Sequence, residues 1–520
     1  MEIVFNKVNK TFHLYNDRIS YIMQVLPNGQ MGQLYFGKKV HDRENFSYLL
    51  EILPRPMSSC VFEDNKSFSL DHIRQEYPSY GTGDYRMPAV EVLQENGSRI
   101  TNFIYKGHHI MSGKPGLEGL PATYVEEENE ASTLILSLED ELTGLSLALA
   151  YTIFADRSVV ARSARFVNGG GEELHLTNAM SLCLDLPDHD YDWMQFSGAW
   201  ARERHLKVRS LEEGVQSVGS RRGHSSHEHN PFIILKRPHT DEFQGEAIGF
   251  SFIYSGNFLA QAEVGSHGTT RILMGIHPDC FDWKLEPGEA FQTPEAVMAY
   301  TDKGLNDLSQ TFHCLYRKRL ARGYWRDRTR PVLINNWEAT YMDFDEEKIL
   351  DIARKAKECG VELFVLDDGW FGKRCTEHSG LGDWTPNRDR LPNGIAGLAR
   401  RIGELGMKFG LWFEPEMVNK DSDLYRAHPD WILHVPGRPS THGRFQYVLD
   451  FSRKEVVDCI YGMMEKILRE ADVSYIKWDM NRSITECFSP ALPADRQGEV
   501  FHRYILGVYE LYERLTENFP

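Results

Sequence analysis

A lysine and an aspartate lie two residues apart in the segment YIKWDMNR, residues 475–482, where an apolar run ends. Alternate residues of a strand point to the same side, so this spacing predicts that Lys477 and Asp479 share one face. An ammonium group near a carboxylate favours the ionised carboxylate, and an ionised carboxylate at a water-poor rim can act as a nucleophile. A buried ion pair without a catalytic role is the other interpretation of the same two residues.

Further acidic residues lie where other apolar runs end. Asp367 and Asp368 end one run, Glu414 and Glu416 end the next, and Asp479 ends the last. A single acidic strand end is weak evidence, because aspartate is a common turn residue. The carboxyl ends of parallel strands form one rim, so three successive acidic ends are expected to converge there.

Tryptophans accompany these acids at or just beyond the predicted strand ends, at positions 337, 370, 384 and 412. The C–H faces of a sugar stack on aromatic rings, whereas its hydroxyl groups need polar or charged partners. Aromatic side chains beside carboxylates therefore predict a carbohydrate site.

The elements that must position these residues alternate between strand and helix after residue 330. Apolar runs predict strands at 332–337, 361–370, 407–417 and 473–482. Helical spacing of apolar residues predicts helices at 345–360, 394–406 and 453–471. This alternation is typical of a parallel sheet, and the continuous apolar runs indicate strands covered on both faces.

The first part of the chain has a different pattern, in which short runs rich in Val, Ile, Thr and aromatic residues alternate with turn clusters. This pattern predicts a large, all-β, antiparallel β-sandwich of many strands. The predicted domains are a β-sandwich at 1–310, a helical linker at 311–330 and an α/β domain at 331–520.

Composition excludes several classes of protein. The formal net charge of −17 over 520 residues argues against a nucleic-acid-binding surface, which needs clustered Lys and Arg. No targeting segment or run of about twenty apolar residues is present, so no membrane association is predicted. The eight cysteines form no C-x-x-C pair, which predicts neither a zinc site nor a disulfide framework and favours a cytoplasmic location. No cofactor is indicated.

A metal-dependent enzyme is one rival interpretation, because the five clustered carboxylates could supply hard oxygen ligands. Lys477 on the same face counts against it, since a metal cation would then lie beside another cation. A non-catalytic carbohydrate-binding protein is a second rival, and galactose affinity without turnover would support it.

Several long motifs in order identify a family resemblance. The segments LFVLDDGWFG, FGLWFEPEMV and KWDMNR, with INNWEATYMDF and EYPSYGTGDYRMPA upstream, closely resemble the bacterial α-galactosidases of glycoside hydrolase family 36. The likeness covers essentially the whole chain. It implies an N-terminal β-sandwich, a TIM-type (β/α)8 catalytic barrel and a small C-terminal β-domain, often assembled as a homo-tetramer. It also implies hydrolysis of terminal α-linked galactose from melibiose, raffinose or stachyose with retention of configuration.

The resemblance also assigns roles to residues. Asp479 is the implied nucleophile, forming a covalent galactosyl intermediate, and Asp367 and Asp368 are expected to bind O4 and O6 of galactose. The residues predicted to bind substrate are Trp337, Asp367, Asp368, Trp412, Arg444, Lys477, Trp478, Asn481 and Trp200. Trp200 matches a tryptophan that in the family can reach a neighbouring subunit's site, and a packing role in the sandwich is its alternative.

A retaining glycosidase also needs a carboxyl group about 5–5.5 Å from the nucleophile to protonate the leaving oxygen. In the family this acid/base lies downstream of the nucleophile, so it is expected beyond residue 520. Four of the eight strands of a closed barrel are predicted here, so only about the first half of the barrel is expected and this chain alone is predicted to be inactive. Asp383, Glu414 and Glu416 are the local candidates for a substitute acid.

Three alternatives to an α-galactosidase stay open. They are a non-catalytic galactose-binding fragment, a related α-N-acetylgalactosaminidase and a galactosyltransferase of the raffinose-synthase type. The sequence does not decide among the possible oligosaccharides, between hydrolysis and transgalactosylation, or among subunit counts.

Overall fold

The chain folds into two compact units, Met1–Ala321 and Arg322–Pro520. The computed structural model describes residues 1–55 and 57–520. No helix in this described part of the chain is both long enough and apolar enough to cross a membrane.

The first unit consists mainly of strands. In chain order they are β1 Glu2–Asn6, β2 Thr11–Tyr15, β3 Ile19–Val25, β4 Met31–Lys38, β5 Val90–Gln94, β6 Ile104–Ser112, β7 Ala131–Asp140, β8 Leu145–Phe154, β9 Val159–Asn168, β10 Leu174–Leu186, β11 Asp192–Ser197, β12 His205–Ser210, β13 Gly214–Ser220, β14 His229–Lys236, β15 Ala247–Ile253, β16 Phe258–Val264, β17 Thr270–Ile276, β18 Trp283–Leu285, β19 Ala290–Gln292 and β20 Glu295–Thr301.

These strands form three sheets of four, six and ten strands. The ladders are antiparallel, and β7 and β8 pair over their full length from Ala131↔Phe154 to Asp140↔Leu145. The four-stranded sheet is a meander in the order β1-β2-β3-β4, as expected where short connections join neighbouring strands. The prediction of an antiparallel, β-rich first domain is confirmed.

Helix α1, Gly304–Arg319, belongs to the first unit. Leu308, Phe312 and Leu315 recur at helical spacing, and all three are buried in one core cluster with residues of β15 and β20. The sequence predicts a helical linker over 311–330, but the helix begins earlier and packs on the sheet, because its apolar face needs cover. The division between the units falls after Ala321.

The second unit alternates strands and helices. Its strands are β21 Leu333–Asn335, β22 Leu363–Leu366, β23 Lys408–Phe413, β24 Met417–Asn419, β25 Gln446–Val448 and β26 Tyr475–Trp478. Its helices are α2 Trp337–Thr340, α3 Glu346–Glu358, α4 Gly394–Glu404, α5 Asp423–Ala427, α6 Lys454–Glu470 and α7 Val500–Asn518.

Four of these strands form a parallel sheet in the order β21-β22-β23-β26. All four coincide with the runs that predict strands, and α3, α4 and α6 lie within the stretches that predict helices. A closed eight-stranded barrel is not confirmed, because β21 and β26 each have one strand neighbour among the described residues. The strands β24 and β25 form a separate antiparallel pair that the sequence pattern does not predict.

Candidate active site

The carboxyl ends of β22, β23 and β26 bring the predicted site residues together. Trp412 and Lys477 are register partners on β23 and β26, and Asp367 directly follows β22. Trp412 Nε1 donates to Asp479 Oδ2 at 3.1 Å, and Lys477 Nζ lies 2.7 Å from Asp367 Oδ2. The expected convergence of these side chains at one rim of the sheet is therefore present.

The ion pair differs from the expected one. Lys477 pairs with Asp367, and Asp479 instead accepts from neutral donors: Trp412 Nε1–H, the Asn481 amide at 2.7 Å and the Met480 main-chain N–H at 3.1 Å. Strands are about 4.8 Å apart, so the lysine side chain reaches over β23, roughly two strand spacings, to a carboxylate on the far strand. The prediction that Lys477 provides the cation beside Asp479 is corrected accordingly.

The aspartate pair is buried and well ordered by its partners. Asp367 accepts from the Asn335 amide on the same oxygen that contacts Lys477, and its other oxygen accepts the Asp368 main-chain N–H at 2.9 Å. Asp368 forms a fork with Arg374, whose Nη2 lies 2.8 Å and Nε 3.0 Å from its two oxygens. Burial raises the pKa of Asp368, although the Arg374 guanidinium opposes this shift.

Arg374 is a site residue that the sequence analysis missed. It is only 1% exposed, and besides Asp368 it donates to Asn419 Oδ1 at 2.9 Å and to the main-chain oxygens of Glu377 and Ser379. An arginine six residues after an aspartate pair is a weak signal, since only the fold shows that the loop turns back onto the strand end.

The galactose-binding position predicted at Arg444 lies in a tight turn. Gln446 N–H donates to Gly443 O, and the two central residues, Arg444 and Phe445, both have positive φ, 51° and 60°. This backbone conformation favours Asn or Gly, so the turn is strained. Arg444 Nη2 lies 2.7 Å from Glu377 Oε1, an ion pair that holds the guanidinium in one place.

Glu414 lies beside the nucleophile candidate and is fully buried. Its two oxygens accept from the Asn481 main-chain N–H at 2.7 Å and from Gln446 Nε2 at 2.8 Å. Burial raises its pKa to about 8, and the charge of Asp479 adds to this effect. Glu414 is therefore mainly uncharged at neutral pH.

This raised pKa predicts a pH-dependent stability. Between about 4.5, the ordinary value, and about 8, the folded state keeps a proton that the unfolded state loses, so the free energy of unfolding falls as pH rises through that window. Glu414→Gln should remove this pH dependence. Summed over the whole window, the change in the free energy of unfolding is at most about 5 kcal/mol. Hydrogen exchange of second-unit peptides across the window measures it. A slope unchanged from the wild type contradicts the prediction, and Glu76→Gln, a buried glutamate of the first unit, is the matched control.

Glu416 and Trp478 lie away from Asp479. Trp478 Nε1 donates to Glu416 Oε1 at 2.9 Å, the Tyr504 hydroxyl donates to the other oxygen of Glu416, and the Trp478 ring packs on Tyr512 of α7. Side chains alternate along a strand, so residue 478 points opposite to Lys477. The Trp478 side chain is thus placed against Glu416 and α7, and its contact with substrate stays a prediction.

Three further residues were predicted for the site or as its acid: Asp383, Trp337 and Trp200. Asp383 accepts the main-chain N–H groups of Asp423 and Leu424 at the start of α5, which occupies its carboxylate. Trp337 begins α2, is half-buried, and donates its main-chain N–H to Asn335 Oδ1 at 2.8 Å. Trp200 belongs to the first unit and is 83% exposed.

The site therefore combines a half-buried carboxylate, neutral donors that orient it, a buried pair of aspartates and an indole within hydrogen-bond distance. Among the described residues, no group of three His, Cys, Asp or Glu side chains is arranged to hold a metal ion. A carboxylate that faces solvent at the carboxyl rim of a parallel sheet, beside acceptors for hydroxyl groups, is the arrangement expected of an enzyme that acts on glycosides.

Comparison with known families agrees with this class. The family model named Melibiase matches residues 290–520, and the glycosyl hydrolase family 36 N-terminal domain model matches residues 29–286. Alpha-galactosidase AgaA of Geobacillus stearothermophilus is 54% identical over 520 residues, which is 100% of this chain and 71% of that protein. Alpha-galactosidase Mel36A of Lactobacillus acidophilus is 45% identical, with the same coverage of both chains. The chain belongs to glycoside hydrolase family 36.

Solved structures show the same fold. The crystal structure of the family 36 alpha-galactosidase AgaB from Geobacillus stearothermophilus has a TM-score of 0.97 and 54% identity, over 100% of this chain and 71% of that one. Variants of AgaA have been crystallised with raffinose and with stachyose. Each of those structures has 54% identity and a TM-score of 0.97, over 98% of this chain and 71% of the other.

Proposed function

We propose that this chain carries the galactose-binding and nucleophilic part of a retaining α-galactosidase. The observation that supports the proposal most is the position of Asp479, which is half-buried at the rim and oriented by hydrogen bonds from Trp412 and Asn481. An oriented carboxylate that accepts from neutral donors keeps a lone pair available for attack on an anomeric carbon. The names of the relatives and the raffinose and stachyose complexes of AgaA variants support α-linked galactose as the sugar.

In the proposed reaction, an oxygen of Asp479 attacks C1 of the galactosyl group from the β face. The C1–O bond to the leaving group breaks with its electron pair, and a β-galactosyl ester forms on Asp479. Water then attacks C1 from the opposite face, the C1–O bond to Asp479 breaks and returns the carboxylate, and the proton of the water passes to solvent, which gives galactose in the α configuration. Asp367 and Asp368 are the proposed acceptors for the O4 and O6 hydroxyl groups. Because both are buried, an epimer whose hydroxyl group points elsewhere would leave a buried carboxylate without its partner and would bind more weakly.

The acid that protonates the leaving oxygen is not supplied by the carboxyls around Asp479. Glu414 is fully buried with both oxygens hydrogen-bonded, Asp367 pairs with Lys477, and Asp368 pairs with Arg374. We therefore propose that this chain alone turns over natural α-galactosides very slowly, because their sugar leaving groups need a proton.

A substrate that needs no protonation tests the nucleophile directly. With α-D-galactosyl fluoride, fluoride leaves with the bonding pair unaided, so the chain should gain the mass of one galactosyl group on the peptide that contains Asp479. Intact-protein and peptide mass spectrometry measure this labelling. α-D-Glucosyl fluoride is the matched control and should label far more slowly.

The same experiment separates the rival functions. Binding of galactose without any labelling would favour a non-catalytic binding protein and overturn the proposal. Preferential labelling by the fluoride of N-acetylgalactosamine would instead indicate an α-N-acetylgalactosaminidase, and transfer of the label to sucrose would indicate a galactosyltransferase.

Assembly and location stay predictions. A homo-oligomer is proposed from the resemblance alone, with exposed Trp200 as the residue expected to reach a neighbouring copy. Among the described residues no two cysteines form a disulfide, which suits the proposed cytoplasmic setting.

A further inference from the structure

Asn481 connects two carboxyl groups that the sequence places far apart. Its main-chain N–H donates to Glu414 Oε1 at 2.7 Å, and its side-chain amide donates to Asp479 Oδ2, also at 2.7 Å. Since both hydrogen bonds come from one residue, the anchored main chain determines where the amide can reach. The geometry of the nucleophile therefore depends on Glu414.

Glu414 is itself held in a single position. It follows β23 directly and precedes Pro415, which restricts its backbone to extended conformations. Its second oxygen accepts from Gln446 Nε2 at 2.8 Å, and none of its surface is exposed. A carboxyl enclosed in this way cannot reach a scissile bond, so it has no direct part in the chemistry.

We propose that Glu414 is a positioning residue for the nucleophile, a buried side chain that anchors the main chain of Asn481 so that the Asn481 amide orients Asp479. This inference rests on the proposed function and identifies what holds its nucleophile in place. Supporting residues of this kind decide whether a reactive group stays within a fraction of an ångström of its productive position.

The charges around Glu414 favour its uncharged form. Burial is the main cause that raises the pKa of Glu414 to about 8, and Asp479 and Asp368, the acidic groups that face it, add to the shift. Arg444 also faces it, but that guanidinium is paired with Glu377. A proton on Glu414 avoids a second anion beside the Asp479 carboxylate.

The test compares the rate of labelling by α-D-galactosyl fluoride in the wild-type 520-residue chain and in three variants. Glu414→Ala removes the anchor and should slow labelling about 100-fold at neutral pH, as a small misplacement of a reacting group does. Glu414→Gln keeps an uncharged acceptor for the Asn481 N–H and should stay near the wild-type rate. Glu416→Gln changes the neighbouring buried glutamate, whose partners are Trp478 and Tyr504, and should also label normally.

Infrared difference spectroscopy supplies a second reading that does not need turnover or an intact alanine variant. The wild type should show a protonated-carboxyl band at mildly acidic pH that disappears near pH 8. Loss of this band in Glu414→Gln assigns it to Glu414. In Asp479→Asn the same band should disappear at lower pH, because the neighbouring negative charge is gone.

Wild-type labelling in Glu414→Ala, or a Glu414→Gln variant that is folded and as slow as Glu414→Ala, overturns the inference. If the wild type itself is not labelled, the proposed function fails, and the infrared titration then decides the inference separately. A Glu414 titration that Asp479→Asn leaves unchanged counts against it.

Discussion

Asp479→Asn is expected to abolish galactosyl labelling, with a rate at least about 10⁴-fold below that of the wild type. An amide of the same shape keeps the contacts to Trp412 and Asn481 nearly in place but has no anionic oxygen to form the ester. Mass spectrometry with α-D-galactosyl fluoride measures the loss. The exposed residue Asp472 provides a matched control, because Asp472→Asn removes a carboxylate that precedes the amino end of β26 instead of following its carboxyl end.

Chemical rescue gives this prediction a stereochemical outcome. In Asp479→Ala, azide can occupy the space of the missing carboxylate and attack C1 from the face opposite the departing fluoride. The C1–N bond forms as the C1–F bond breaks, so the product is β-galactosyl azide. Rescue that gives the α-azide, or wild-type labelling of Asp479→Asn, would rule out this residue as the nucleophile.

Arg374→Met is expected to have the largest effect on folding in the second unit. It leaves Asp368 buried without its cation, and breaking a buried ion pair of this kind costs about 3–5 kcal/mol. The pKa of Asp368, already raised by burial, should rise further because the hydrogen bonds and the charge of Arg374 lower it in the wild type. Urea unfolding followed by hydrogen exchange of peptides around residues 363–379 measures the loss of stability.

The sign of the pH effect and a second substitution test the cause. The penalty in Arg374→Met is present above the raised pKa of Asp368 and should shrink as pH falls through it, since the neutral acid needs no cation. Asp368→Asn combined with Arg374→Met should recover part of the stability for the same reason. Arg426, which pairs with Asp421 and Asp423 at the surface, is the matched control, and Arg426→Met should change little. Equal losses in the two arginine variants would show that the buried pair has no special role.

The four strands of the parallel sheet in the second unit, and the edge at which its acidic residues meet, could be predicted from the sequence. Continuous apolar runs separated by helical spacing permit few arrangements other than a parallel sheet, and parallel strands end at a common rim. Asp367, Asp368 and Asp479 could therefore be placed at one site without coordinates. The same reasoning predicted the β-rich first unit, because alternation of short strands and turns is a local property of the chain.

Which groups pair within the site could be seen only in the folded chain. Lys477 reaches across β23 to Asp367, Arg374 returns from a loop to Asp368, and Gln446 arrives on the unpredicted strand β25 to hold Glu414. These contacts depend on the register of neighbouring strands, on the paths of loops and on the reach of long side chains. Such quantities have no period in the sequence. Spacing along the chain therefore predicted that Lys477 pairs with Asp479, two residues away, whereas in the folded sheet it pairs with Asp367.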